Sequence, residues 1–354
     1  MKLFRKKKKA SVGGFLKKGF VGDFDVSGGL KSFIPYLKTK IKNGFNSLGA
    51  SKEKLKDIPG TNYKLGVYHM QKGNFSDAIL RFKMVCYLDP NNTDSLYHLS
   101  RCLLLKGEEK KAQKKLELLM KKEPKHVEGK YLLQKITSPE KVESVPLSIV
   151  KETVDIRANF YMEDYIDAGY IGARVLVNEV LKDVEAKNPN FTVLDLGCGT
   201  GECGVILRER GLAKHITGID LSDIMTELSS SRMVDGQNAY DEVKEIEISE
   251  YLKNEKTSKY DLVLANLSFE FFGNLEPIAA NIKNLLNKGG YFGLIARDEP
   301  ELKNGYILNV DYEDFSHSQQ YVKDTFQKVG LKLSKTKEIE IVEEEMGILY
   351  IFTS

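Results

Sequence analysis

No run of roughly 18 or more apolar residues occurs in the 354-residue chain, so no transmembrane helix is expected. The first twenty residues lack the apolar core of a secretory signal. Cysteine is scarce. Cys86, Cys102, Cys198 and Cys203 form no CxxC pair, and they read as free thiols of a reducing, cytoplasmic compartment rather than a disulfide framework. The five histidines, His69, His98, His126, His215 and His317, are scattered without metal-ligand spacing, so no metal site is expected.

What is present fits a soluble globular chain: 42% hydrophobic and 29% charged residues. The length predicts two domains. A net charge of +3 conceals an asymmetry. Residues 1–57 carry 15 Lys/Arg against 4 Asp/Glu, a net of +11, and the remainder carries 38 against 46, a net of −8. The mildly acidic body argues against a nucleic-acid groove and against nucleic acid as partner.

Residues 1–57 read as a basic, largely disordered tail that opens MKLFRKKKK. Within it, Leu30, Phe33, Ile34, Leu37, Ile41, Phe45 and Leu48 recur at helical spacing among lysines. Two readings stand. The tail is solvated, or packs as a helix on the next domain. Otherwise residues 1–48 make a peripheral contact with an anionic surface, either the inner face of a membrane or an acidic partner.

Residues 58–136 repeat themselves at an offset of 34. Tyr63 pairs with Tyr97, Leu65 with Leu99, Gly66 with Ser100, Gly73 with Gly107, Ala78 with Ala112, and Pro90 with Pro124. Tyr131 opens a terminal helix 34 residues after Tyr97. Small residues suit helices that approach closely, Gly73 and Gly107 suit the turns, and the prolines stop the second helix of each pair. The period and residue types resemble the tetratricopeptide repeat, which implies a protein partner on the helical surface. Residues 137–150, TSPEKVESVPLSIV, read as a linker.

Residues 151–190 read as helical, with Val175, Leu176, Val180 and Leu181 on one face. From residue 191 onward strands alternate with helices: FTVLDLG, HITGID, VKEIEI, YDLVLAN, YFGLIAR, LKLSKTKEIEIV and MGILYIF. The β-rich final thirty residues suit an antiparallel hairpin at the edge of a parallel sheet.

The chemical signal is VLDLGCGTG at residues 193–201. An apolar strand leads to Asp195, and a turn follows with Gly197, Gly199 and Gly201, where a ligand can approach the backbone. A helix N-terminus comes next. A GxGxG alone suits a dinucleotide site. Here an acid precedes the first glycine by two positions. A second strand ends in Asp220-Leu221, where an acid can accept both hydroxyls of a ribose.

Together these features resemble the class I S-adenosylmethionine-dependent methyltransferases. The resemblance implies a Rossmann-like α/β domain over residues 151–354, with sheet order 3-2-1-4-5-7-6. It implies S-adenosyl-L-methionine as cofactor, held by Asp195, Gly197, Cys198, Gly199, Gly201, Asp220, Leu221, Glu247 and Asn266. Cys198 reads as a small filler of the loop rather than a nucleophile. YDLVLANLSFEFFGNL and LLNKGGYFGLI match the family's fourth strand with its loop and its helix–GG–strand unit. Joined to the repeats, with ANFYMEDYIDAGY ahead and DYEDFSHSQQYVKDTFQKVGL behind, the chain resembles bacterial predicted methyltransferases with tetratricopeptide repeats. It departs from them at Glu247 and Asn266, where aspartates are expected.

Asn266, at the end of the fourth strand, and His317, in FSHS, are the catalytic candidates. His317 is a base or substrate contact, or else belongs to a capping segment with Ser316 or Ser318 as the cap. NPPY and ProCys signatures of DNA methyltransferases are absent, which argues against a nucleobase acceptor. The resemblance supplies no methyl acceptor. A small molecule or a protein side chain fits, with the repeats positioning the acceptor or a partner. The alternative is a repeat scaffold or regulator that binds S-adenosylmethionine without turnover. A Rossmann oxidoreductase is a more distant reading.

Overall fold

The computed structural model describes residues 57–158, 169–184, 190–310, 313–342 and 345–354. The basic tail and its amphipathic stretch lie outside these residues, as does most of ANFYMEDYIDAGY. The chain divides into two compact units, with the described residues parting between His126 and Val127. Among the described residues, no helix is long and apolar enough to cross a membrane.

The described residues of the first unit form four helices: α1 (Ile58–Gln71), α2 (Phe75–Leu88), α3 (Thr93–Leu105) and α4 (Glu109–Lys122). Their ends follow the sequence. Asp57 caps α1 by accepting from the Gly60 amide at 2.8 Å, and Asn92 caps α3 from Ser95 at 2.8 Å. Gly73 and Gly107 share a φ of 73° at the turns inside the two pairs. Pro90 and Pro124 each stand two residues after a helix end. Phe82, Leu99, Leu103, Ala78 and Ala112 form the core. A Cβ on Gly66 would lie 2.7 Å from the Phe82 ring, so this glycine sets how closely α1 and α2 pack.

The second unit opens with α5 (Val127–Thr137), the helix expected to end the repeats at Tyr131. It meets the body of this unit through a largely buried Lys135–Glu313 ion pair of 2.7 Å. The expected linker is also built into the body. Val142 and Val145 are buried. The Val145 amide donates to the Phe271 carbonyl at 3.1 Å. The next helix, α6 (Leu147–Ala158), already begins within that stretch, and α7 (Gly172–Val184) follows.

A seven-stranded sheet is the frame. Its strands are β1 (Phe191–Leu196), β2 (Ala213–Asp220), β5 (Glu242–Glu245), β6 (Tyr260–Asn266), β7 (Leu286–Arg297), β10 (Lys332–Val342) and β11 (Glu345–Thr353). Two short hairpins, β3 (Met233–Val234) with β4 (Gln237–Asn238) and β8 (Tyr306–Asn309) with β9 (Asp314–His317), stand apart from it. The order is β10-β11-β7-β6-β1-β2-β5. Counting only the strands of this sheet, that is the expected 3-2-1-4-5-7-6. The first five strands pair in parallel, and β11 runs antiparallel to both β7 and β10. One expectation shifts: the strand in VKEIEI ends at Glu245, because Glu247 leaves the sheet to cap the following helix.

Both sheet faces are covered. α10 (Ile248–Asn254), α11 (Glu276–Leu285) and α12 (Gln319–Lys328) bury Leu252, Ile282 and Phe326 against Leu194, Val263 and Phe292. α7 and α8 (Glu202–Arg210) bury Leu176, Val180 and Leu207 against Val193, Leu264 and Ile295. Alternation along β1 places Leu194 and Leu196 on the first face. Asp195 therefore shares the second face with Val193. The remaining helix, α9 (Asp223–Ser230), follows β2.

Candidate functional site

The C-terminal ends of β1, β2 and β6 open onto a cleft, the usual ligand position in an open parallel sheet. Its lining includes Gly197, Gly199, Asp220, Leu221, Met225, Glu247, Ile248, Asn266, Ser268 and Glu270. Residues ahead of β1 close one side with Val145, Val150, Val154 and Tyr170, and Phe271 and Phe272 close another.

The loop after β1 is held from β2. The amides of Gly197 and Cys198 both donate to the Ile219 carbonyl, at 2.8 and 2.9 Å. The Gly199 amide donates to Asp220 Oδ2 at 2.9 Å, and the Ser222 amide to Asp220 Oδ1 at 3.0 Å. Asp220 is 8% exposed. Burial raises its pKa, and the amides of Ser222 and Gly199 work against that rise. Each carboxylate oxygen has a second lone pair free by valence, so Asp220 can still accept from a ligand's hydroxyls.

Glu247 forms the next wall. Its Oε2 accepts from the Glu250 amide at 2.7 Å, capping α10. Among the described residues its Oε1 is buried without a hydrogen-bond partner. Such an acceptor is costly to leave empty and suits a ligand N–H. Ser268 Oγ, also on the cleft, is likewise buried and has no hydrogen-bond partner among the described residues. Asn266 Oδ1 accepts from the Tyr170 hydroxyl at 2.7 Å. Between Asn266 and Ser268, Leu267 holds a φ of 56°, a strained setting for a residue with a side chain.

The residues expected to hold the donor thus divide. Gly197, Gly199, Asp220, Leu221, Glu247 and Asn266 line the cleft. Asp195, Cys198 and Gly201 stand behind it. Asp195 is 1% exposed and accepts from the Tyr240 hydroxyl through Oδ2 at 2.7 Å. Burial pushes its pKa up to about 7, the Tyr240 hydrogen bond opposes that, and the Asp220 charge adds to it. Cys198 is buried with Sγ 3.7 Å from Ser229 Oγ. Burial and the nearby Asp220 and Asp195 raise its pKa well above the usual thiol value, so it is a filler.

His317 lies apart from the residues that line the cleft. It is 3% exposed and absent from the cleft lining. Its Nε2–H donates to the Phe272 carbonyl at 2.8 Å, and its ring stacks on Tyr321 at 5.9 Å. Burial lowers its pKa to about 4. A neutral imidazole whose proton is committed to a backbone carbonyl supports the loop rather than acting as a base in the cleft. The cap of α12 is Ser318, which accepts from the Tyr321 amide at 3.2 Å.

Three features were not singled out from sequence. Tyr240 lies in NAYDEV, with no motif around it. Ser222 caps α9 and also donates to Asp155 at 2.6 Å. Arg297 bridges two carboxylates, Glu270 at 3.0 Å and Asp314 at 2.9 Å, fixing the base of the loop after β6. The only available signal for Arg297 was a cation ending an otherwise apolar strand.

Residues 187–346 match a family model described as a methyltransferase domain, and residues 69–136 match one described as a tetratricopeptide repeat. Ribosomal protein L11 methyltransferase of Agathobacter rectalis is 30% identical over 168 residues, 44% of this chain and 50% of that protein. Malonyl-[acyl-carrier protein] O-methyltransferase of Bacillus cereus is 24% identical over 169 residues, 48% of this chain and 52% of that one. The chain therefore spans about half the length of these curated relatives. Among solved structures, 1,6-didemethyltoxoflavin-N1-methyltransferase of Burkholderia thailandensis superposes with a TM-score of 0.47 at 12% identity, covering 62% of this chain and 91% of that one. Residues 187–346 are thus similar to the methyltransferase domain family, and residues 69–136, ahead of them, to the tetratricopeptide repeat.

Proposed function

We propose that the cleft binds S-adenosyl-L-methionine and serves methyl transfer to an acceptor, either a small molecule or a protein side chain. The observation that carries this reading is the pair of acids on the cleft, Asp220 at the end of β2 and Glu247 just past the neighbouring β5. Asp220 is held by two backbone amides and faces the cleft beside the glycine loop. Glu247 offers a buried oxygen with no partner among the described residues. The first suits ribose hydroxyls and the second an adenine amino group.

The donor supplies an electrophilic methyl group on a sulfonium. The chain's own task is to bind, orient and exclude water. Asp220 and Glu247 fix the nucleoside end. Asn266, Ser268 and Tyr170 are the polar groups of the opposite wall, where Ser268 Oγ is free to meet an acceptor. The apolar side chains Val150, Val154, Phe271 and Phe272 keep that part of the cleft dry. The repeats position the acceptor or a partner. Tyr68 and Tyr87, 54% and 60% exposed on that unit, supply the kind of surface such arrays use.

The test is transfer of a tritium-labelled methyl group from S-adenosylmethionine into fractionated cell extract by the full chain. Label in one fraction, lost with Asp220→Ala, supports the reading. Donor binding with no label in any fraction overturns the catalytic part and favours a donor-binding scaffold.

A further inference from the structure

Tyr240 is buried at the back of the glycine loop, 3% exposed. Its ring lies against three glycines from three elements. A Cβ would come within 2.2 Å of the ring at Gly204 in α8, 2.8 Å at Gly218 in β2 and 3.2 Å at Gly201 in the loop. Its hydroxyl is used twice. It donates to Asp195 Oδ2 at 2.7 Å and accepts from the Gly204 amide at 3.0 Å. That amide belongs to the first turn of α8, where no intrahelical acceptor exists. One side chain therefore ties the end of β1 to the start of α8, the two ends of the segment that carries Gly197 and Gly199.

The arrangement also explains Asp195, which stands behind the cleft and cannot touch a ligand there directly. Among the described residues its Oδ1 has no hydrogen-bond partner. Apart from Tyr240, the titratable groups coupled to it are Asp220, Cys198 and Cys203. Not one of these is a cation. The Tyr240 hydroxyl satisfies the other oxygen, Oδ2.

Resting on the reading of the cleft as a methyl-donor site, we propose that Tyr240 is a positioning residue for donor binding. Acting through Asp195 and the Gly204 amide, it sets the loop geometry that Gly199 and Asp220 present to the donor. Its ring fills space that the three glycines leave open, and its hydroxyl fixes the register of loop against helix. The acid in the glycine motif thus serves as the acceptor of Tyr240 rather than as a ligand contact.

Calorimetric titration of the full chain with S-adenosylhomocysteine, alongside thermal melting, tests this. Tyr240→Phe keeps the ring and removes both hydrogen bonds. It should melt cooperatively and raise Kd at least tenfold. Asp195→Asn keeps a carbonyl oxygen that can accept from Tyr240 and should stay within about threefold of wild type, whereas Asp195→Ala should match Tyr240→Phe. Combining Tyr240→Phe with Asp195→Ala should weaken binding no further than either alone, as expected for one shared interaction. If wild type binds and Tyr240→Phe binds equally well, the proposal fails while the donor reading stands. If wild type itself does not bind, the donor reading fails. Should Tyr240→Phe fail to fold, the Asn/Ala pair at Asp195 decides, and equal affinity in both overturns the proposal.

Discussion

The Gly199 amide donates to Asp220 Oδ2 across 2.9 Å, so the acid at the end of β2 holds open the loop that follows β1. One carboxylate thereby serves the fold and the ligand together. Asp220→Ala should weaken S-adenosylhomocysteine binding at least tenfold, about 1.4 kcal/mol or more. Calorimetry checks the affinity, and circular dichroism checks that the domain remains folded. Unchanged affinity in a folded variant would remove Asp220 from the site.

Two buried groups tilt stability in opposite directions with pH. The Asp195 carboxyl is raised to about 7 in the fold. The folded state holds a proton that the unfolded state releases, so this contribution is full below about pH 4 and lost as pH rises through 7. His317 is lowered to about 4. The unfolded state binds the extra proton, so its contribution is full above about pH 6.5 and lost as pH falls through 4. Asp195→Asn should therefore gain melting temperature relative to wild type at pH 8 more than at pH 5. His317→Gln should flatten the acid limb and leave donor affinity within about twofold. Melting curves from pH 4 to 8 separate the two. Parallel profiles for wild type and both variants would contradict the assignment.

Arg297 carries the two carboxylates of Glu270 and Asp314 in a buried setting. Arg297→Met removes the cation from both, and breaking such an arrangement costs about 3–5 kcal/mol. Chemical denaturation should show a lower midpoint of that order, unlike the changes of a few tenths typical of surface sites.

Gly66 has the Phe82 ring in the place of its missing Cβ. Gly66→Ala should destabilise the helical unit by about 1–3 kcal/mol through overpacking. A chemical melt followed by helical signal measures it, and a neutral result would mean that α1 and α2 separate more readily than their contact implies.

The alternation of strands and helices was legible because apolar runs recur from Phe191 to Thr353, whereas the sheet order came from the resemblance to class I methyltransferases. The repeats were legible because Gly73, Gly107, Pro90 and Pro124 act locally, within a turn of where they stand. Asp220 followed from its place at the end of the second strand, and Glu247 from the family resemblance. What spacing could not give was direction. Asp195 lies one residue before Leu196 and so faces the opposite side of the sheet, away from the cleft. FSHS left His317 open between a base and a capping segment, and only the β8–β9 hairpin shows its ring bonded to the Phe272 carbonyl. Tyr240 stays hidden because its partners lie 22 to 45 positions away, at Asp195, Gly201, Gly204 and Gly218, and only the packed sheet brings them to one ring.

The most direct test of the central claim is titration of the full-length chain with S-adenosylmethionine. The cleft predicts one saturable site per chain, displaced competitively by S-adenosylhomocysteine and lost in Asp220→Ala. A folded wild-type chain that gives no binding heat and no displacement at millimolar donor would contradict it.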